Sequence, residues 1–155
     1  MNSITTWQST THDPVSTEKL AEKIGQNLTG GEVIELVSDL GGGKTTFVRG
    51  LARGLGSMDH VSSPTFKISN EYQGQHLQLN HFDLYRLGEA GVIYNELAEV
   101  IDQPHSVLVI EWADIAKNAL PIERLTITFT QTNKQARHLQ FHYPHSLDYV
   151  MKGLN

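Results

Sequence analysis

The chain has 155 residues, of which 39% are hydrophobic and 19% are charged, and its formal net charge is −5. This balance is typical of one globular domain spanning residues 1–155 and excludes a disordered tail. The absence of cysteine excludes disulfides, zinc fingers, iron–sulfur clusters and thiol catalysis. The acidic charge also argues against an independent nucleic-acid binder, because such proteins usually carry a basic excess.

The N-terminus has no basic region followed by an apolar run, so the sequence does not predict a signal peptide. The longest apolar stretch, Val107 to Ile110, is far too short to span a bilayer. We therefore expect a cytoplasmic protein that has no membrane partner.

In the first part of the chain, two helices flank a short buried strand. Asp13 followed by Pro14 predicts a helix start, and apolar residues at four-residue spacing continue this helix towards a double glycine near residue 30. The β-branched run 33–37 predicts a buried strand. The apolar residues between 47 and 55 predict a second helix, which ends at Gly56.

The rest of the chain is richer in strands. After a loop at 61–65, the sequence predicts a strand hairpin, a helix, a buried strand, a second strand pair and a short tail helix. The strand and helix ranges up to the tail are 66–72, 76–82, 89–102, 107–110, 124–130 and 137–143. Strand–helix alternation followed by strand pairs predicts a three-layer α/β fold with a mixed, mostly parallel sheet.

A glycine-rich loop connects the first buried strand to the second helix. Its consecutive glycines let backbone N–H groups converge on phosphate oxygens, and the helix adds free N–H groups and its positive end. Lys44 is expected to reach the terminal phosphates, and the Thr45 hydroxyl to bind Mg²⁺. The alternative is a glycine-rich turn without a ligand. The predicted nucleotide-binding residues of the loop are Leu40, Gly41, Gly42, Gly43, Lys44, Thr45 and Thr46.

The first position of this loop departs from the usual P-loop pattern, because Ser38 stands where glycine is usual. If that position requires a positive φ, a non-glycine residue costs about 1–2 kcal/mol. Such strain would weaken nucleotide binding.

Two carboxylates follow predicted strands. Glu111 comes directly after the strand 107–110, and Asp83 comes directly after the strand 76–82. Ligands of open α/β sheets bind at the carboxyl ends of the strands. We therefore expect Glu111 to complete the magnesium site, and Asp83 to orient a water molecule or hold the magnesium shell. A cap or a surface salt bridge is the alternative for each.

Three motifs follow the glycine loop in a fixed order. They are Ser62-Ser63-Pro64-Thr65-Phe66, His81-Phe82-Asp83-Leu84-Tyr85-Arg86 and Ile110-Glu111-Trp112. Together with the loop, they resemble the TsaE family, the bacterial ATPases of tRNA threonylcarbamoyladenosine biosynthesis. The resemblance runs from about Asp13 to about Arg137.

The resemblance implies a P-loop NTPase-like fold and a Mg²⁺-dependent ATPase whose catalytic residues are Asp83 and Lys44. It further implies that Thr45 and Glu111 bind Mg²⁺ and that Trp112 flanks the nucleotide. Residues 63–66 would form a switch-like loop. The helix start at 13–17 and Arg137 would border the base and ribose.

The resemblance also implies partners. Family members act with TsaB and TsaD, which carry out the threonylcarbamoyl transfer, so tRNA would be reached indirectly through that complex. ATP hydrolysis would support turnover of the complex.

Two other functions remain open. A small P-loop kinase needs an acceptor site and usually an arginine-rich lid, and the sequence contains no such insertion. An ATP-gated binding module with little turnover agrees with the acidic composition and with Ser38.

Three further side-chain roles also remain open. His81 either packs or hydrogen-bonds near the site, on the same face as Asp83, or has a catalytic role. Arg86 either stabilises phosphate charge or forms an internal salt bridge. Arg49 and Arg53 form either a solvated helix face or a contact surface for a partner or tRNA.

Overall fold

The structure is a computed structural model that describes residues 3–38, 43–64, 67–88, 91 and 93–154. Within these ranges no helix is long and apolar enough to cross a membrane. The strands and α-helices, in chain order, are β1 (Ile4–Thr11), α1 (Pro14–Asn27), β2 (Val33–Val37), α2 (Lys44–Gly54), β3 (Ser69–Gln73), β4 (Gln78–Asp83), α3 (Tyr94–Asp102), β5 (Ser106–Glu111), β6 (Leu125–Gln131) and β7 (Arg137–Pro144). Two 3-10 helices span Ala113–Ala119 and His145–Met151.

The described strands form one sheet in the order β1-β7-β6-β2-β5-β4-β3. The central strands β6, β2, β5 and β4 are parallel, whereas β7 and β3 run against their neighbours. Five of the seven described strands therefore point the same way, which confirms the predicted mixed, mostly parallel sheet.

Helices cover both faces of the central strands, so the predicted three-layer arrangement is also confirmed. Along β5, Val107 and Val109 face the core under α1 and α2. Leu108 and Ile110 face a second core, formed with α3 and the first 3-10 helix. This double burial explains why the central strands read as continuous apolar runs.

The helices α1 and α2 approach each other at backbone contact. A Cβ atom built on Gly50 would lie 2.3 Å from the carbonyl oxygen of Glu18 and 2.6 Å from Cβ of Ala21. A Cβ on Gly54 would lie 2.3 Å from the carbonyl oxygen of Glu22. Only glycine fits at these positions, and the close contact fixes where α2 begins relative to the sheet.

The structure differs from the sequence predictions mainly at element ends. β3 begins at Ser69 and α3 at Tyr94, later than the predicted 66 and 89, while α1 ends at Asn27 rather than near residue 30. Residues 65, 66, 89, 90 and 92 lie outside the described residues. β4 and β5 each extend one residue further, to Asp83 and Glu111.

The sequence analysis missed the edge strand β1. Seven of its eight residues are exposed or half-buried, and only Thr11 is buried. Apart from Ile4 and the half-buried Trp7, all of them are Thr, Ser or Gln, so the strand has no apolar face. Its pairing with β7 over eight residues and an edge contact between Trp7 and Phe141, with ring centroids 5.2 Å apart, hold it in the sheet. Such tertiary contacts leave no strong local pattern.

Replacing Gly50 by alanine should lower the free energy of unfolding by about 1–3 kcal/mol, because the added methyl group overlaps the backbone of α1. In an unconstrained helix the same change would be stabilising by roughly 1 kcal/mol. Urea denaturation measures the difference. Gly88→Ala is the control, since no atom lies within 4 Å of a Cβ built there. An equal or higher stability of Gly50→Ala would contradict the described helix contact.

Candidate functional site

The carboxyl edge of the parallel strands brings the predicted polar residues together. β4 and β5 end side by side, with Asp83 opposite Glu111 in the strand register. Lys44 is the first residue of α2, and its ammonium group reaches Glu111. The fold therefore brings Lys44, Asp83 and Glu111 together at one sheet edge.

The first turn of α2 contains no acidic residue. Its N-cap is Gly43, with a φ of 99° that favours glycine, and no side chain in the described part of the chain caps the helix. The first intrahelical bond runs from the Phe47 N–H to the carbonyl of Gly43, at 3.0 Å. The N–H groups of residues 44–46 consequently have no acceptor within the helix, as an anion-binding helix start requires.

The start of α1, unlike that of α2, is capped by a carboxylate. The side chain of Asp13 accepts a hydrogen bond from the Ser16 N–H at 2.7 Å. This bond is the main cause of the lowered pKa of the Asp13 carboxyl. A carboxylate thus occupies the positive end of α1, whereas α2 has no carboxylate in its first turn.

Lys44 is buried, with 6% of its surface exposed. Its Nζ atom lies 3.3 Å from Oε1 of Glu111 and donates to the Ser38 carbonyl at 3.3 Å. It also lies 4.7 Å from the ring centroid of Trp112. An anion, a carbonyl dipole and an aromatic face therefore stabilise the cation in a largely dry position.

Glu111 is the buried anion of the site, with 4% of its surface exposed. Its second carboxylate oxygen, Oε2, is hydrogen-bonded to Nε2 of His81. Burial raises the pKa of Glu111, but the hydrogen bond and charge of His81, together with Lys44, outweigh that effect and leave it below its ordinary value. The carboxylate is therefore ionised at neutral pH and suited to a cation.

Asp83 is in a different electrostatic environment. Burial is the largest influence on the pKa of Asp83 and raises it, and the charge of Glu111 raises it further. A hydrogen bond from the Tyr85 N–H to Oδ1, at 3.0 Å, acts in the opposite direction without cancelling the rise. A carboxylate with a raised pKa is a better proton acceptor than an exposed one.

Trp112 follows β5 in an unusual conformation. Among the described residues it is the one non-glycine residue with a positive φ, at 55°. This turn starts the first 3-10 helix and directs the indole ring over Lys44, where Tyr85 contacts it with ring centroids 5.0 Å apart.

Ser38, which stands where P-loops usually have glycine, does not have a positive φ. The backbone strain expected for a serine at this position therefore does not arise.

The residues predicted to border the base and ribose are near neighbours. Arg137 begins β7 opposite Thr11, and the Thr11 hydroxyl lies 2.6 Å from the hydroxyl of Thr17 on α1. A Cβ built on Gly43 would lie 3.5 Å from Nε of Arg137. The fold thus brings Arg137 to the last glycine of the loop, and β1 joins the start of α1 to Arg137.

The structure describes only some of the other predicted site residues. Leu40, Gly41, Gly42, Thr65 and Phe66 lie outside the described residues. Thr45 and Thr46 occupy the first turn of α2, half-buried.

The loop that carries the first motif is anchored at its start. The Tyr72 hydroxyl donates to the Ser62 carbonyl at 2.8 Å, and the Ser62 N–H lies 3.2 Å from the same hydroxyl. The Asp83 N–H donates to the carbonyl of Ile68, just beyond the loop, at 2.9 Å. Two fixed points therefore enclose the predicted switch-like segment.

Of the two arginines on α2, Arg53 forms an ion pair with Glu18, at 2.7 Å. Arg53 therefore lies on a solvated face of α2 and is paired with α1, which agrees with the first of its two predicted roles. Arg86 is exposed.

The side chains of Thr45 and Glu111 could bind magnesium, but they do not form a complete metal site by themselves. Thr45 offers a hydroxyl and Glu111 a carboxylate, the hard oxygen ligands that Mg²⁺ prefers. The described residues contain no group of three or more His, Cys, Asp or Glu side chains that could hold a metal ion. A magnesium ion here would therefore need further oxygen ligands from a bound phosphate or from water.

A lysine at the start of an uncapped helix, opposite a carboxylate on a neighbouring parallel strand, defines a protein with a P-loop NTPase-like fold. Residues 11–139 match the family described as threonylcarbamoyl adenosine biosynthesis protein TsaE. The chain belongs to this family. The resemblance stated from the sequence motifs is therefore confirmed.

Individual relatives agree with this assignment. The tRNA threonylcarbamoyladenosine biosynthesis protein TsaE of Bacillus subtilis (strain 168) is 36% identical over 133 residues, covering 84% of this chain and 82% of that protein. The protein of the same name from Aquifex aeolicus is 43% identical over 100 residues, covering 63% and 70%. The crystal structure of Bacillus subtilis YdiB superposes with a TM-score of 0.75 and 31% identity, covering 100% and 99% of the two chains. Family and fold together imply a nucleotide-binding role.

Replacing Asp83 by asparagine should stabilise the ligand-free protein increasingly as the pH rises. Because the pKa of Asp83 is raised above 3.8, the folded protein binds this proton more tightly than the unfolded chain does. The wild-type protein therefore loses stability, relative to the variant, as the pH rises from about 4 through the folded pKa. Urea unfolding in EDTA between pH 4 and 8 measures the difference, and a gap that stays constant or narrows would contradict it.

Proposed function

We propose that this chain is a Mg²⁺-dependent ATPase that supports tRNA N6-threonylcarbamoyladenosine modification in complex with TsaB and TsaD. The observation that carries the proposal is the buried ammonium of Lys44, which lies between an uncapped helix start and the carboxylate of Glu111. Membership of the TsaE family and the names of its relatives support the pathway.

The first step is binding of the nucleotide phosphates. The N–H groups of residues 44–46, which have no acceptor within α2, and the positive end of this helix favour negative charge. Lys44 would exchange Oε1 of Glu111 for a phosphate oxygen, so that its charge stays paired throughout. Leu40, Gly41, Gly42 and Gly43 would provide the remaining backbone contacts of the loop.

Magnesium would be held by the hydroxyl of Thr45 and the carboxylate of Glu111. The ion, when bound, would neutralise phosphate charge that develops during hydrolysis. Release of Lys44 to the phosphate would free Oε1 of Glu111, while Oε2 keeps its hydrogen bond to His81. The lowered pKa of Glu111 supports this role, because its carboxylate is ionised across the physiological range.

Asp83 would act on the attacking water. Its place beside Glu111 in the strand register puts it at the same sheet edge, and its raised pKa favours proton acceptance over simple charge pairing. Trp112 and Tyr85 would shield the phosphates from bulk water on one side. Arg137 and the start of α1 would border the base and ribose.

Hydrolysis would serve a conformational cycle in the partner complex. The net charge of −5 is unfavourable for direct, independent binding to tRNA, so TsaB and TsaD would supply the contact with tRNA. The segment 63–66, which lies between the anchored residues Ser62 and Ile68 in the chain, would form the switch-like loop near the terminal phosphate.

A second candidate is an ATP-gated binding module. It is favoured by the pairing of Lys44 with Glu111, because nucleotide binding alone would rearrange the charges of the site. The two functions differ in one respect. A variant that binds ATP without hydrolysing it should support tRNA modification only if the chain is a binding module.

Lys44→Ala should weaken ATP binding by tenfold or more, since a charge-assisted hydrogen bond contributes roughly 1.5–3 kcal/mol. Isothermal titration calorimetry measures the affinity. Lys117→Ala is the matched control, because Lys117 is an exposed lysine paired with Asp114 on the first 3-10 helix. Equal affinities of both variants and the wild-type protein would remove Lys44 from the phosphate site.

Asp83→Ala and Glu111→Ala should retain ATP binding and lose turnover about 100-fold or more. Phosphate release is measured with and without Mg²⁺, for the chain alone and with the TsaB–TsaD complex. We expect low activity alone that rises with the complex. Full activity of Glu111→Ala would remove that residue from its role, and tRNA modification supported by an inactive, ATP-binding variant would favour the binding module.

A further inference from the structure

His81 is the most deeply buried polar side chain that touches the site. It lies in the middle of β4 with 0% of its surface exposed, opposite Val109 of β5 in the register. Strand alternation places its side chain on the α1/α2 side of the sheet, the side that Leu79 faces. Two residues further along β5, on that same side, stands Glu111.

The two carboxylate oxygens of Glu111 have separate partners. Nε2 of His81 bonds Oε2, whereas Nζ of Lys44 lies 3.3 Å from Oε1. The two contacts come from different elements, β4 and α2, and together they fix the plane of the carboxylate. Only one of them, the contact with Lys44, would be given up to a phosphate.

His81 is an unfavourable choice for packing alone. Its other ring nitrogen, Nδ1, is buried and has no hydrogen-bond partner in the described part of the chain. An unsatisfied buried polar atom destabilises a fold, and an apolar side chain such as that of Leu79 avoids this cost. The hydrogen bond to Glu111 is the contact that offsets it.

We infer that His81 is a positioning residue, which holds Oε2 of Glu111 so that Oε1 faces the magnesium site when Lys44 moves to the phosphate. This inference rests on the proposed function, in which Glu111 binds Mg²⁺. His81 itself would touch neither the nucleotide nor the ion. Its loss should therefore raise the Mg²⁺ concentration that turnover requires and leave nucleotide binding without metal intact.

Three substitutions separate this role from packing. Glutamine can place an amide N–H where Nε2 of histidine lies, whereas asparagine is shorter and places it near Nδ1. Leucine removes the donor altogether. His81→Gln and His81→Asn thus form a matched pair of amides that differ in reach, and thermal unfolding of each variant reports whether it folds.

Phosphate release is measured as a function of Mg²⁺ concentration. We expect the half-saturating concentration of His81→Gln to stay within about threefold of wild type, and that of His81→Asn and His81→Leu to rise about tenfold or more. ATP binding in EDTA should stay within about threefold in all three. A folded His81→Leu with wild-type Mg²⁺ dependence would overturn the inference, as would a His81→Gln that is as impaired as His81→Asn.

A spectroscopic test covers the case in which the wild-type protein has no Mg²⁺-dependent turnover and the proposed function itself fails. Long-range proton–nitrogen spectra, with the His81 signals assigned by their loss in His81→Gln, should show a proton on Nε2. Glu111→Ala should shift these signals and leave those of His138, which bonds Thr10 and Gln8 on β1, unchanged. An Nε2 without a proton, or signals that Glu111→Ala does not move, would overturn the inference whatever the turnover.

Discussion

The carboxylate of Glu111 is an ionised group inside the protein. The need to compensate its charge constrains the positions of the elements around it. Removing such a charge from water costs several kcal/mol unless counter-charges and hydrogen bonds replace the solvent. Here they come from His81 on β4 and Lys44 on α2. Neither partner is near Glu111 in sequence, so the site exists only when β4, β5 and α2 are correctly placed together.

The position of α2 depends in turn on its contact with α1. Gly25, Gly50 and Gly54 allow the two helices to meet at backbone distance, where no side chain can adjust to absorb a shift. Lys44 stands ten residues before Gly54, roughly 15 Å along the helix. A rigid contact at one end of α2 therefore locates the ammonium group at the other end, opposite Glu111.

The sequence predicted those parts of the fold whose pattern is local. The apolar runs of β2 and β5 and the Asp13–Pro14 helix start of α1 were recognisable without tertiary information. The edge strand β1 and the first 3-10 helix were not, because pairing with β7 and the turn at Trp112 hold them rather than any periodicity of their own.

The candidate site divides in the same way. Lys44, Glu111 and Asp83 could be proposed from the sequence because each ends or begins a recognisable element. The contact of His81 with Glu111 requires the register of β4 against β5, which no single segment encodes. The available signals were the two-residue spacings of His81 from Leu79 and from Asp83. They indicate that the three side chains share one face of the strand, but they do not identify Glu111 as the partner of His81.

Three local costs occur within this site. Trp112 has a backbone conformation that side chains rarely adopt, Nδ1 of His81 is buried without a partner among the described residues, and the raised pKa of Asp83 shows that its charged form is disfavoured. Each would be relieved by a common substitution, so stability alone does not explain these residues. Unfavourable features that converge on one sheet edge are expected where ligand binding, rather than the fold, determines the side chains. This convergence supports the same location for the site as the glycine loop does, and it does so independently of any motif.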